Sequence, residues 1–204
     1  MIQYPYIYQI DSLNLVYVNS PRCACTSTKL LLTDLMGIDF DKESCDIHNA
    51  FMDILPSIKK YQDIQQTNSD YYKFTVVRNP YARVVSFYVG KGGGAISREI
   101  YNYVDGDTFR NFVRKIYDLG MGNFEEHLIE QYKGFRVEYM DTVICLESYT
   151  EGIKQITDMF DKDVGVLWKN QSGKEDYREY YDNETKQMVR ELYSTDLEML
   201  GYEF

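Results

Sequence analysis

Histidine, proline and tryptophan are all scarce in this 204-residue chain, at two, four and one copies. The two histidines, His48 and His127, lie far apart and neither joins a cluster with metal-ligand spacing, so no metal is expected. Cys23, Cys25, Cys45 and Cys145 show neither a Cys-x-x-Cys pair nor a disulfide framework, and read as thiols of a reducing compartment. No apolar run approaches the ~20 residues that a membrane helix needs. Residues 1–10 lack the basic and then apolar pattern of a secretory leader. The expected location is the cytoplasm, with no membrane contact. Positive charge is also short: 22 Lys and Arg against 32 Asp and Glu leave a net charge of −10. That balance argues against a nucleic-acid partner, because such binding draws its affinity from cations that neutralise phosphates. With no internal repeat or second boundary, residues 1–204 read as one domain long enough for a real core.

What is present is organised around Leu15-Val-Tyr-Val-Asn-Ser-Pro-Arg-Cys-Ala-Cys-Thr-Ser-Thr-Lys29. Residues 15–18 are a short β-favouring apolar run, Pro21 breaks it, and Thr26 and Ser27 are good caps for a helix over residues 29–37. A strand, a tight turn and a helix start leave backbone N–H groups at the positive end of a helix dipole, where an anion commonly binds. Arg22 and Lys29 bracket that place. The loop has no glycine, so it is not a Walker A motif. A second stretch, Phe74-Thr-Val-Val-Arg-Asn-Pro-Tyr-Ala-Arg-Val-Val-Ser-Phe-Tyr88, repeats the pattern, with Arg78 at the carboxyl end of a strand and Arg83 and Ser86 on the helix that follows. Ligands of open α/β sheets collect outside the carboxyl ends of strands. Two basic loops of this kind suit a ligand with two anionic groups.

The remaining pattern predicts a strand or hairpin arm over residues 4–10, a helix around Pro56 over 51–61, and strands over 72–77 and 142–146. Helices are expected over 108–119, 124–132 and 182–200. The run Gly90-Lys-Gly-Gly-Gly94 ends the second loop's helix and is a candidate lid. Strands alternating with helices indicate a parallel sheet covered on both faces.

The pair Pro21-Arg-Cys-Ala-Cys-Thr-Ser-Thr-Lys29 and Arg78-Asn-Pro-Tyr-Ala-Arg-Val-Val-Ser86 resembles the two cofactor loops of sulfotransferases that use 3′-phosphoadenosine 5′-phosphosulfate (PAPS). The likeness is greatest to the carbohydrate branch, which includes Golgi enzymes and bacterial relatives. Glu126-His-Leu-Ile-Glu-Gln131, Asp141-Thr-Val-Ile-Cys-Leu-Glu147, Asn170-Gln-Ser172 and Leu192-Tyr-Ser-Thr-Asp196 have counterparts in that family too. The resemblance implies a single-domain, P-loop-like, three-layer α/β fold with a central parallel sheet flanked by helices. It implies that Arg22, Cys23, Ala24, Cys25, Thr26, Ser27, Thr28 and Lys29 hold the 5′-phosphosulfate, and that Arg78 and Ser86, with Ser172 nearby, hold the 3′-phosphate. Two positions depart from the family: Arg22 replaces a lysine and Asn79 an acidic residue. An arginine keeps the charge but cannot donate a proton to a leaving group.

The implied reaction moves a sulfuryl group in line to an acceptor hydroxyl, with a carbohydrate favoured by the branch. Arg22 is the cation at the leaving oxygen. His48 is the first candidate base and His127 the second, with Glu147 behind them, because histidine titrates near neutrality. A small alcohol, a phenol or a peptide tyrosine stays open as acceptor. A P-loop-like kinase and a non-catalytic nucleotide-binding module stay open as functions. Oligomeric state has no signature in the sequence.

Overall fold

The structure, a computed structural model, describes residues 6–39, 47–48, 51, 58–61, 63–91, 108–120, 126–160 and 176–204. Cys45, Ser172 and most of the glycine-rich run lie outside them. The chain divides into two compact units, one drawn from residues 3–77 and 135–170 and the other mainly from 78–134 and 171–204.

The first unit carries one sheet of five strands in the order β3-β1-β2-β4-β5. β1 (Tyr6–Ile10) and β2 (Leu15–Asn19) form the expected hairpin, paired Tyr6 to Asn19 through Ile10 to Leu15. A turn of 3-10 helix at Asp11–Leu13 joins them, and Asn14 closes it at φ 51°, a left-handed geometry that asparagine tolerates. β4 (Tyr72–Val77) runs parallel to β2, and β5 (Thr142–Cys145) runs parallel to β4. The α/β class and the parallel centre match the sequence expectation, and the antiparallel strands β1 and β3 extend the sheet on one side. Among the described residues, no helix is long and apolar enough to cross a membrane.

β3 (Ile58–Tyr61) corrects the last part of the helix expected over residues 51–61, while Phe51 is helical and residues 52–57 lie outside the described residues. The register Ile7 to Tyr61 through Ile10 to Ile58 supplies β1 with a second partner. Pro56 biases the residue before it away from helical geometry, and an open strand edge beside such a segment draws it into the ladder.

Alternate residues of the strands, Tyr8, Ile10, Leu15, Tyr17, Phe74, Val76 and Ile144, build one core. Two helices pack on it: α1 (Cys25–Leu35) through Leu30, Leu31, Leu32 and Leu35, and a later helix, Tyr149–Asp158, through Ile153 and Ile156. That later helix lies so close to β5 that a Cβ at Gly152 would clash with the side chain of Ile144. Every residue of β2 is buried, as its place inside the sheet requires.

The second unit is helical. α2 (Pro80–Lys91) and α3 (Phe109–Leu119) share a core of Tyr81, Val84, Val85, Phe87, Phe112, Val113 and Ile116 with Val189 and Tyr193. Thr108 caps α3 by accepting the Asn111 N–H at 3.2 Å, where the apolar stripe predicted the helix. The helix expected over residues 124–132 is corrected. Residues 124–125 lie outside the described residues, residues 126–129 form a turn and a bend, and among the described residues of that stretch helix is the single turn α4 (Gln131–Gly134). Asp196 sets that start by accepting the N–H groups of Gln131 and Tyr132, each at 2.8 Å.

In the first unit the Tyr149–Asp158 helix is α5. The tail expected as one helix over residues 182–200 is two, α6 (Asn183–Leu192) and α7 (Ser194–Leu200). They break at Tyr193, which has φ −114° and ψ 27° and whose hydroxyl donates to Leu128 O at 2.6 Å.

Candidate functional site

The first loop leaves β2 at Asn19 and enters α1 at Cys25. It holds two residues with left-handed backbone, Arg22 at φ 68° and Ala24 at φ 53°. That geometry costs a residue with a Cβ roughly 1–2 kcal/mol, so surrounding bonds must hold it. Cys23 supplies several. Its N–H donates to Ser20 O at 3.3 Å, and its thiol to Ser20 Oγ at 3.4 Å and Pro21 O at 3.6 Å. Cys23 is wholly buried, which fits a thiol that packs beneath the turn.

Ala24 is the N-cap of α1 and places no side chain across it. The caps expected from Thr26 and Ser27 are therefore corrected: the helix starts one residue before Thr26, and Ser27 is buried. The first N–H groups of any helix lack partners inside it and carry the positive end of its dipole. Here they follow a turn of alternating left-handed residues, a backbone form that gathers N–H groups around anions. Arg22, Ala24, Cys25 and Thr26 are partly exposed along this turn.

The hydroxyls and the lysine of α1 point to other groups. Thr26 Oγ1 lies 3.0 Å from His48 Nε2, and Lys29 Nζ lies 3.3 Å from His48 Nδ1. An ammonium can only donate, so with Lys29 charged Nδ1 accepts and the ring proton sits on Nε2, facing Thr26. Lys29 is only 3% exposed. Its Nζ also donates to Tyr8 Oη at 3.4 Å and lies 5.0 Å and 5.4 Å from the ring centres of Tyr8 and Phe51. Thr28 Oγ1 and Tyr149 Oη are 3.0 Å apart, deep in the core. Burial pushes the Tyr149 phenol up to about 12, against the opposing pull of its Thr28 bond.

The second loop starts at Arg78, directly after β4. Gln131 brackets its backbone: Oε1 accepts the Arg78 N–H at 2.9 Å, and Nε2 donates to Arg78 O at 2.8 Å. Asn79 caps α2 by accepting the Tyr81 N–H at 3.0 Å, and its Nδ2 donates to Glu203 O at 2.7 Å and to Tyr177 Oη at 3.4 Å. A carboxylate at this position could cap but not donate, which gives the departure from the family pattern a local reason. Arg83 is 1% exposed and donates to Ile129 O at 2.7 Å. Ser86 is also buried, at 3% exposure, whereas Arg78 is partly exposed. His127 belongs to this unit, with Nδ1 3.9 Å from Glu126 Oε1 and its ring 6.2 Å from that of Phe87.

The structure thus brings His48 to the first turn of α1, while His127 lies in the other unit. Sequence reasoning missed Tyr8 and Tyr149 as supports of the first loop, and gave no role to Gln131 and Asp196, although both stood in recognisable motifs. Spacing alone does not join residues 65 positions apart. Among the described residues, no group of three His, Cys, Asp or Glu is placed to hold a metal ion.

Searches of curated proteins and of solved structures match nothing to this chain. The family comparison does find a match: the profile described as "Sulfotransferase family" covers residues 6–203. A match of that extent, taking in both loops, makes the chain a member of the sulfotransferase family and a transferase of sulfuryl groups.

Proposed function

We propose that this chain transfers the sulfuryl group of PAPS to an acceptor hydroxyl, with a carbohydrate as the favoured acceptor class. The observation that carries the reading is the first loop. Two left-handed residues without glycine lead into a helix whose N-cap residue, Ala24, has no capping side chain, and a histidine is hydrogen-bonded to its first turn. These features fit a phosphosulfate, which needs N–H donors, a nearby cation and a base on the acceptor side.

In this reading PAPS supplies the sulfuryl group and departs as the 3′,5′-bisphosphate, PAP. Arg22 and the N–H groups of residues 24–27 hold the 5′ end and offset charge as it grows on the leaving oxygen. Thr28 and Lys29 support the loop from inside, through Tyr149 and His48. Arg78 and Ser86 take the 3′-phosphate, with Ser172 beside them. His48 takes the acceptor proton at Nε2. For that the Lys29–His48 pair must hold one proton fewer than in the charged form, with Nδ1–H donating to the Lys29 amine. A proton accepted at Nε2 is then matched by one passed from Nδ1 to Lys29, and the charge ends on the lysine. His127 and Glu147 are the alternatives. The thiols at Cys23, Cys25 and Cys145 support a reducing compartment such as the cytoplasm.

The test is calorimetric titration with PAP, with ATP and Mg²⁺ in parallel, followed by PAP release from PAPS against a panel of sugars, phenols and alcohols. Tight PAP binding with turnover on a sugar is the expected result. Binding without turnover on any acceptor would leave a nucleotide-binding module, and no PAP binding by folded protein would remove the reading.

A further inference from the structure

We propose that Gln131 and Asp196 are positioning residues for Arg78, holding its backbone so that its guanidinium reaches the 3′-phosphate; the inference rests on the nucleotide reading above. The carboxamide of Gln131 pairs with both the N–H and the C=O of Arg78, at 2.9 Å and 2.8 Å. A neighbouring strand would make the same pair of bonds. Gln131 therefore extends the hydrogen bonding of Arg78 one residue past the end of β4 at Val77. The direction of a long side chain follows its backbone dihedrals, so a backbone held in place holds the guanidinium in place.

A glutamine can flip its amide, so the clamp needs something to set which end faces which backbone group. Asp196 does this. Its Oδ2 accepts the Gln131 N–H at 2.8 Å and Gln131 Nε2 at 3.3 Å, and its Oδ1 accepts the Tyr132 N–H at 2.8 Å. With Nε2 drawn to the carboxylate, its second hydrogen meets Arg78 O, and Oε1 is left for Arg78 N–H. Both residues are 0% exposed. Burial pushes the Asp196 carboxyl up, while the N–H groups of Tyr132 and Gln131, the nearby Arg83 guanidinium and the Gln131 side chain pull it down. A buried carboxylate adds little net stability, and fixing one arrangement of its partners is a role such groups serve in some proteins. The arrangement fixed here is that of a residue assigned to the ligand.

The experiment compares PAP with adenosine 5′-phosphate, which lacks the 3′-phosphate, by calorimetry on the full chain and on Gln131→Met. Gln131→Met keeps the volume and removes both bonds to Arg78. The expected result is at least a tenfold loss of PAP affinity with adenosine 5′-phosphate affinity unchanged within twofold. Equal losses for both ligands, or no loss for either, overturn the proposal. Amide hydrogen exchange at Arg78 is read in the same variant and should accelerate at least tenfold, whereas unchanged exchange rejects the clamp. If the wild-type protein shows no preference for PAP, the nucleotide reading fails and the exchange rate alone decides the clamp. Should Gln131→Met not fold, Asp196→Asn takes its place. That change removes the charge that orients the amide, and the same two readouts apply with smaller effects in the same direction.

Discussion

At the end of β2 the chain turns through Arg22 and Ala24, both left-handed, and enters α1 at an N-cap residue, Ala24, that makes no side-chain cap. At the end of β4 it turns through Asn79, whose side chain caps α2 at the Tyr81 N–H, and through Arg78, whose backbone Gln131 brackets. The two turns share a pattern in sequence and treat the helix start in opposite ways. The first holds two left-handed residues before a helix whose N-cap, Ala24, offers no capping side chain. The second satisfies its helix start internally and presents an arginine. A ligand at the first turn should therefore meet main chain and dipole, and one at the second should meet a side chain.

That contrast can be tested by substitution, and the largest effect is expected at the proposed base, His48. His48→Ala should lower kcat by roughly 10²–10⁴, the usual worth of a general base. Lys29→Met, which fills the cage of Tyr8 and Phe51 without a charge, should lower kcat and change the pH profile, since the ring proton loses its second station. A kcat profile unaltered by Lys29→Met would show that Lys29 has no part in proton transfer.

Arg22→Ala comes next. Loss of one donor at a developing negative charge costs about 10²–10³ in kcat. Arg78→Ala should instead raise KM for PAPS and leave kcat at saturation nearly unchanged, because its contact is the same before and during transfer. Steady-state kinetics on both variants settles the contrast. Matching kcat and KM changes in the two would erase the distinction between the turns.

Smaller effects concern how each turn is supported. Tyr149 underlies the first through Thr28, and its phenol is raised from 10.0 to about 12. A raised phenol contributes stability that is complete below its unfolded value and is lost as pH climbs from about 10 through 12. The loss at pH 11 is about 1.4 kcal/mol from this group. Tyr149→Phe should therefore flatten the fall in stability between pH 10 and 12, measured by chemical denaturation. An equally steep fall would assign it to other groups, such as Tyr17 and Tyr181, which burial also raises. At the second turn, Asn79→Ala should cost about 1 kcal/mol through the lost cap. Asn79→Asp keeps the cap and loses the bond to Glu203 O, so it should fall between wild type and Asn79→Ala.

These effects divide along the same line as what the sequence discloses. β2, β4 and β5 were legible because each is a short apolar run with clear punctuation, and α3 because Thr108 precedes an apolar stripe. β3 was not, since its segment has helical spacing and joins the sheet through backbone pairing with β1. His48 was legible as a candidate because histidine is scarce, but its bond to Thr26 spans 22 residues and needed the fold. Gln131 and Asp196 each stood in a recognisable motif, but they meet across 65 residues and bond to main chain, so no spacing of residue types tells that they act together.

The left-handed backbone of the first turn was hidden for a different reason: the usual signal for it is glycine, and this loop has none. Ala24→Gly tests what that choice does. Glycine adopts left-handed geometry without the Cβ penalty of roughly 1–2 kcal/mol, and loses about 0.4–1 kcal/mol more chain entropy on folding. The difference leaves Ala24→Gly more stable by about 0.8 kcal/mol, seen as a rise of about 2–3 °C in Tm. A glycine there is also less restrained before the ligand arrives, so the Ala24→Gly variant should bind PAP slightly less tightly even as it becomes more stable. A rise in both would mean that the alanine only strains the loop. Opposite signs would mean that the strained residue holds the N–H groups of α1 in place for the anion, which the capped turn after β4 has no need to do.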